Sequence, residues 1–217
     1  MFWQDEGYLL SKNNFDENSI IIEAFTLDHG KYSGIVYGGS SRKHKKIFQV
    51  GNKILLNWKS KNENKLGYFN VELINPISPI YFDDKKRSIC ILSATSILKT
   101  LLPDNQTNKK IYKSFEIFMN HLKFDEWIKL YINWELSLIN DLGFQIVFKN
   151  NSEFIEINNK SLKIPSIYIS NNNYDNFDIR EALMFNKSLL LENFLSPNRL
   201  KLPLSRNILE RYFSTNK

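Results

Sequence analysis

An α+β chain is expected, with a small five-stranded antiparallel barrel first and helices after it. Three observations carry that expectation. From Gly7 to Ile74 the apolar residues come in short runs broken by Gly and Asn, which is the punctuation of strands. From about Asp84 onward they recur at helical spacing. Between the two patterns Pro76 and Pro79 interrupt both.

The strands are expected near Tyr8 to Ser11, Ser19 to Leu27, Lys31 to Tyr37, Lys53 to Lys59 and Tyr68 to Ile74. The last two alternate well. Ile54, Leu56 and Trp58 oppose Lys53, Asn57 and Lys59, which makes Trp58 a core residue; Phe69, Val71 and Leu73 oppose Tyr68, Asn70 and Glu72. Five short strands without a helical crossover match the strand count of the oligonucleotide-binding barrel (OB-fold), which binds single strands across a sheet face and its loops. Residues 1–80 form this domain, and residues 81–217 a helical one.

Helices are expected from Asp84 to Leu102, Lys109 to Leu122, Asp125 to Leu142, Asp178 to Leu195 and Ser205 to Phe213. Asp83 and Asp84 read as capping acids at a helix start. Trp127, Tyr131, Trp134 and Leu138 form an apolar stripe, and Gly143 followed by Phe144 suits a C-terminal cap. Asp178 with Glu181 reads as a capping box, and Ser205 as the last cap. Around Asn158-Asn159-Lys160, the pieces Glu153 to Ile157 and Ser161 to Ile167 read as a small hairpin inserted at about residues 149–173.

Composition narrows the function classes. A chain of 217 residues with 42% apolar residues has enough for a real core. Its start is acidic where a secretory signal is basic and then apolar, and no run approaches the roughly 18 apolar residues of a membrane span. A cytoplasmic protein is expected, without a membrane partner. Cys90 is the sole cysteine, so there is no internal disulfide and no multi-cysteine zinc site, and His29, His44 and His121 are scattered. No cofactor or metal is called for, and no catalytic constellation stands out.

Charge is the sharper signal. Nine Lys and Arg between His29 and Lys65 meet one acid, Glu63, so this stretch carries +8 in a chain of net +6 and leaves about −2 for the rest. Tyr32, Tyr37, Phe48 and Trp58 are interleaved with these cations, as in surfaces that stack unpaired bases. The loop Gly38-Gly39-Ser40-Ser41-Arg42-Lys43-His44-Lys45-Lys46 lacks the Gly-Lys-Ser/Thr of a Walker loop, so its signal is electrostatic. Lys31, Tyr37, Arg42, Lys43, Lys45 and Lys46 are the candidate nucleic-acid contacts; Lys53 and Lys59, on a polar strand face, are weaker ones. A solvated face stands beside this reading, because AT-rich coding alone can enrich a chain in Asn, Lys and Ile. Arg206 and Arg211 read as surface charge or as contacts to an acidic partner tail.

Five segments taken in order resemble the bacterial recombination mediator family RecO. They are Trp3-Gln4-Asp5-Glu6-Gly7-Tyr8-Leu9-Leu10, Phe25-Thr26-Leu27-Asp28-His29-Gly30-Lys31, Val36-Tyr37-Gly38-Gly39-Ser40-Ser41-Arg42, the run from Trp134-Glu135-Leu136 to Leu142-Gly143-Phe144, and Leu202-Pro203-Leu204-Ser205-Arg206. The resemblance implies binding of single- and double-stranded DNA and annealing of complementary strands. It also implies assistance to RecA loading on DNA coated by single-stranded DNA-binding protein (SSB), together with RecR and through the SSB C-terminal tail, at the nucleoid. Many members carry a four-cysteine zinc module, whereas residues 149–173 here contain neither Cys nor His, so the hairpin is expected to be a metal-free remnant of a short form. The family often has a basic residue where Tyr37 stands, which implies stacking in place of a cationic contact.

The mechanism expected is non-covalent: Lys31, Arg42, Lys43, Lys45 and Lys46 neutralise phosphates, Tyr37 stacks, and two strands in one positive field pair. One rival is a generic barrel that binds single-stranded DNA or RNA without mediating recombination. The other is a nuclease working through Asp83, Asp84 or Asp141.

Overall fold

Alternation of apolar side chains closes five strands on themselves: β1 (Phe2–Asn14), β2 (Ser19–Thr26), β3 (Gly30–Tyr37), β4 (Lys53–Lys59) and β5 (Gly67–Asn75). A computed structural model of the chain describes residues 1–41, 44, 46–61, 66–148, 153–157, 160–169 and 174–214. The barrel order is β1-β2-β3-β5-β4, with β1 and β4 paired to close it. Leu9, Ile20, Ile22, Ala24, Val36, Phe48, Ile54, Leu56, Trp58 and Phe69 fill its interior, so Trp58 is core as its strand alternation requires.

Two features of the barrel differ from expectation. β1 begins at Phe2 rather than Tyr8 and serves two partners, β4 through Phe2–Tyr8 and β2 through Gly7–Asn14, with a bulge between Leu9 and Ser11. Its first half was hidden because a carboxylate, Asp5, occupies an inward position. The second difference is that β3 and β5 pair in parallel, through Gly34↔Gly67 and Ile35↔Tyr68, so the barrel is mixed at this seam. Glycine is required there: a Cβ on Gly34 would lie 2.5 Å from the Phe69 ring, and one on Gly67 2.3 Å from Trp58 Nε1.

Contacts within the chain divide it into two units, Met1–Lys113 and Ser114–Lys217. The first contains the barrel, a single turn α1 (Ile77–Ile80) and the helix α2 (Lys85–Leu101). Asp84 caps α2 by accepting from Arg87 N at 2.9 Å, as its sequence position implies. From the far end of α2, Lys99 Nζ donates to Ser11 Oγ at 3.1 Å and pairs with Glu23, tying the helix to β1 and β2. The division falls inside α3 (Lys109–His121).

The second unit holds α4 (Trp127–Asp141), a hairpin of β6 (Phe154–Ile157) and β7 (Lys160–Lys163), the turn α5 (Ser166–Ile169), α6 (Asn176–Leu190) continued by a π-helical turn Leu191–Leu195, and α7 (Leu204–Arg211). The α4 stripe is buried, and Trp134 stacks on Phe118 with centroids 5.2 Å apart. Gly143, at φ +102°, and Phe144 end α4 by donating to Asn140 O and Ile139 O, the paired bonds of a Schellman cap. Three local expectations are corrected. The capping box is Asp175 with Asp178, three residues earlier than expected, because Asp175 Oδ1 accepts from Phe177 N and Asp178 N while Asp178 Oδ2 accepts from Asp175 N. The last helix starts after Pro203 without a side-chain cap, since proline's fixed φ already suits a helix entry and Ser205 lies within the helix. The strand expected to reach Ile167 stops at Lys163, because Pro165 removes a ladder donor and leads into α5.

Candidate nucleic-acid interface

The loop between β3 and β4 is anchored at both ends. At its start, Gly38 takes φ +71°, and a Cβ on Gly39 would lie 2.6 Å from Ile20 Cγ1, so the loop leaves the barrel in close contact with β2. His44 folds back, with Nδ1 3.0 Å from Gly38 O and 3.2 Å from Ser41 Oγ. At its end, the buried Asn52 donates from Nδ2 to Lys46 O and Ile47 O, each at 3.1 Å, and accepts from Ser78 N at 3.1 Å. The loop backbone is thus gripped on either side of its charges. Lys46 is exposed, while Arg42, Lys43 and Lys45 lie outside the described residues.

An acid-bearing turn lies beside this loop. Ser40 Oγ donates to Glu17 O at 3.0 Å, linking it to the β1–β2 connection. There the backbone amide of Asn18 holds the exposed Asp16 carboxyl below the usual carboxylate range, against an opposing desolvation and with help from Ser19.

The other candidate residues fall into different environments. Tyr37 ends β3 and is 65% exposed, with its ring 6.2 Å from that of Tyr68. Lys31 is buried: Nζ donates to Lys99 O at 2.8 Å and pairs with Asp104 at 3.1 Å, so this ammonium fastens β3 to the end of α2. Lys53 pairs with Glu6 at 2.9 Å. Lys59 stands exposed with Nζ 5.6 Å from the centroid of the Phe2 ring. Asp84, imagined in the nuclease reading, is occupied as a cap. Burial would raise its carboxyl pKa, but the Arg87 amide and guanidinium outweigh that and hold it low.

In the helical unit, the surface position expected of Arg206 is corrected. Its guanidinium has 0% exposure, donates from Nε and Nη2 to the Glu135 carboxylate at 2.6 and 3.0 Å, and donates from Nη2 to Leu183 O at 2.6 Å. Tyr131 Oη donates to Glu135 Oε1 at 3.0 Å. Burial works against this cation, yet Glu135, Tyr131 and Glu210 around it push its pKa still higher than an ordinary arginine's. A charge so enclosed offers no face to an external tail; Arg211, in the last turn of α7, is exposed.

Sequence reasoning passed over two exposed aromatics of the barrel, Phe2 at 61% and Tyr68 at 43% exposure. The signal was present for Tyr68, an aromatic on the polar side of an alternating strand. Phe2 carries none, because the Gln4-Asp5-Glu6 run that follows it hides the start of β1 in the sequence.

A closed barrel in the order 1-2-3-5-4, with a cationic loop after its third strand and aromatics exposed on its wall, defines the class: an OB-fold barrel joined to a helical unit. The family follows from two matches, residues 1–77 with the model described as Recombination protein O N terminal and residues 83–211 with Recombination protein O C terminal. The chain belongs to this family, RecO.

Among its relatives, a protein named DNA repair protein RecO from Ehrlichia chaffeensis (strain ATCC CRL-10679 / Arkansas) is 34% identical over 146 residues, covering 66% of this chain and 59% of the relative. Proteins of the same name from Wolbachia sp. subsp. Drosophila simulans (strain wRi) and Roseobacter denitrificans (strain ATCC 33942 / OCh 114) are each 32% identical, over 67% and 69% of this chain. The matched segments span 61% and 62% of those two relatives' own lengths, under two thirds of each.

The family-like segments meet in space. Asp5 Oδ2 accepts from Asp28 N at 2.8 Å and lies 2.9 Å from His29 Nδ1, and Trp3 stacks on the His29 ring at 4.1 Å, so the first segment grips the second. Glu135 of the fourth and Arg206 of the fifth are the buried pair described above. What carries the resemblance is therefore largely what holds each unit together. The zinc module common in the family does not fit the residues present: 149–173 lack Cys and His, and Cys90 is buried in α2. Among the described residues, no three His, Cys, Asp or Glu side chains converge as a metal site requires, and no helix is long and apolar enough to cross a membrane.

Proposed function

We propose that this chain acts in DNA repair as a recombination mediator. It binds single- and double-stranded DNA, anneals complementary strands, and assists RecA loading on SSB-coated DNA together with RecR. The observation that carries the reading is the succession of two family matches along the chain, 1–77 and then 83–211, on a barrel whose class binds single strands. Residues 1–80 are the DNA-binding domain, and residues 81–217 the helical domain with a reduced, metal-free hairpin at about 149–173. The protein works in the cytoplasm, at the nucleoid.

Annealing needs no nucleophile. Arg42, Lys43, Lys45 and Lys46 bring phosphates to one loop, Tyr37 stacks beside them, and complementary strands held in one positive field repel each other less. If about four cations act together, single-strand affinity falls with a log-log salt slope of roughly −3. Lys31 contributes by holding the strand that bears Tyr37, given its internal partners. Arg211 remains the candidate contact to the SSB tail.

The deciding experiment is strand annealing on DNA coated with the cognate SSB, with and without RecR. Acceleration that increases with RecR is expected. Binding of single strands without any acceleration of pairing would leave only the generic-barrel reading.

A further inference from the structure

The strand register lines up four exposed residues on the outer wall of the barrel. Phe2 of β1 pairs with Lys59 of β4, Lys59 pairs with Tyr68 of β5, and Tyr68 pairs with Ile35 of β3, two residues before Tyr37. Because side chains alternate along a strand, residues paired in one row point to the same side. Phe2, Lys59, Tyr68 and Tyr37 thus form an exposed band of three aromatic rings and a cation across four strands. A shallow depression of about 440 Å³ opens along it, lined by Met1, Phe2, Lys59, Ser60, Lys61 and Tyr68.

Exposed rings in a row are unusual for a surface with no partner. The charge around them selects the partner. Lys59 and Lys61 stand at this end of the wall. Along β1, β4 and β5 the next outward row, Gln4, Asn57 and Asn70, is uncharged, and the first acids stand in the row after that, Glu6, which Lys53 pairs, and Glu72. Those acids lie four residues along the strands, roughly 13 Å away, which exceeds the screening length of about 8 Å at physiological salt. A polyanion is therefore drawn to the aromatic end, where Lys59 and Lys61 stand, and crosses the strands at the band.

We propose that this band is a stacking platform for single-stranded nucleic acid, with unpaired bases on Tyr37, Tyr68 and Phe2 and Lys59 at the intervening phosphate. The inference deepens the proposed function and rests on its DNA-binding part. It moves the base contacts from the glycine-rich loop to the β1-β4-β5-β3 wall, leaving the loop as a phosphate contact. It also gives sequence tolerance a cause, since every base has a face to stack.

The test uses the full chain and two fluorescent probes of equal length and charge, an oligothymidylate of about 15 nucleotides and a chain of abasic sites. Tyr37→Leu/Tyr68→Leu removes the rings; Tyr37→Phe/Tyr68→Phe keeps them and serves as the conservative control. Circular dichroism and thermal melting confirm that the variants are folded, which the exposure of both positions favours. The wild type and the Phe variant are expected to prefer the oligothymidylate by at least about tenfold, and the Leu variant to lose that preference while keeping its salt slope. Lys59→Ala is expected to keep the preference and lower the slope by about one. A folded Leu variant that discriminates like the wild type overturns the platform, as does a wild type that binds both probes equally. A wild type that binds neither probe overturns DNA binding itself, so the two failures are distinguishable.

Discussion

Arg206 and Lys59 show two opposite uses of a cation in one chain. Arg206 lies at the centre of the helical unit with no exposed surface, its guanidinium divided between Glu135 and Leu183 O. Lys59 lies on the barrel wall with an aromatic ring beneath it, open to solvent. The difference teaches what exposure means for a charged residue read from sequence. A buried charge survives only when its hydrogen-bonding capacity is met within the protein, and is then committed to the fold; an outward charge backed by aromatic surface is available for binding.

Removing the inner partner breaks the comparison most strongly. Glu135→Ala strands the Arg206 guanidinium in the core and is expected to cost about 3–5 kcal/mol, read from the urea midpoint. Lys59→Ala is expected to stay within about 0.5 kcal/mol of wild type in the same measurement. Equal effects on stability would remove the distinction between the two cations.

On the binding side, alanine at Arg42, Lys43, Lys45 and Lys46 together tests the loop. Wild-type affinity for single strands is expected to fall roughly 60-fold between about 50 and 200 mM salt, and that dependence should largely disappear in the quadruple variant. An unchanged affinity and slope would sink the loop as the phosphate contact.

Smaller effects sharpen the picture. Asp175→Ala removes the α6 cap and should cost about 1 kcal/mol, seen as a lowered thermal midpoint. Asp84 and Asp178 have carboxyl pKa values below the ordinary range, Asp84 through Arg87 despite desolvation, and Asp178 first through the Ser166 hydroxyl. For groups depressed by folding, the stabilisation is complete above the unfolded carboxylate range and is lost as pH falls through the folded value. Melting temperature should therefore drop below about pH 4, and less steeply in Asp84→Asn than in wild type. The smallest effect is expected for Lys53→Ala: because Lys53 already pairs with Glu6, single-strand affinity should hardly change.

Much of this fold was legible in the sequence. β4 is where its alternation puts it, and the α4 stripe with its Gly143 cap behaves as spacing and backbone freedom require. What was not legible involves inward polar residues and tertiary partners. Asp5 made half of β1 look like a loop, because a carboxylate inside a barrel is tolerated only through Asp28 and His29, which lie far along the chain. The burial of Arg206 was equally hidden, since its partner stands 71 residues away. Of the candidate interface, the exposure of Tyr37 and Lys46 agreed with their placement at a strand end and in a loop, whereas the internal bonds of Lys31 required the end of α2 to be known. Tyr68 carries a signal of its own, an aromatic on the polar face of an alternating strand.

The parallel seam has a consequence in time as well as in shape. β3 and β5 are joined by two register pairs, one of them between glycines, while the other barrel pairings run for seven or eight residues. A join so short is where the wall opens first in local fluctuations, so amides at Gly34 and Gly67 should exchange with solvent sooner than those of β1 and β2. Tyr37 and Tyr68 sit on opposite sides of that join. A nucleic-acid strand resting on both rings would act as a clasp, and slower exchange at the seam on addition of oligothymidylate is the expected sign of it.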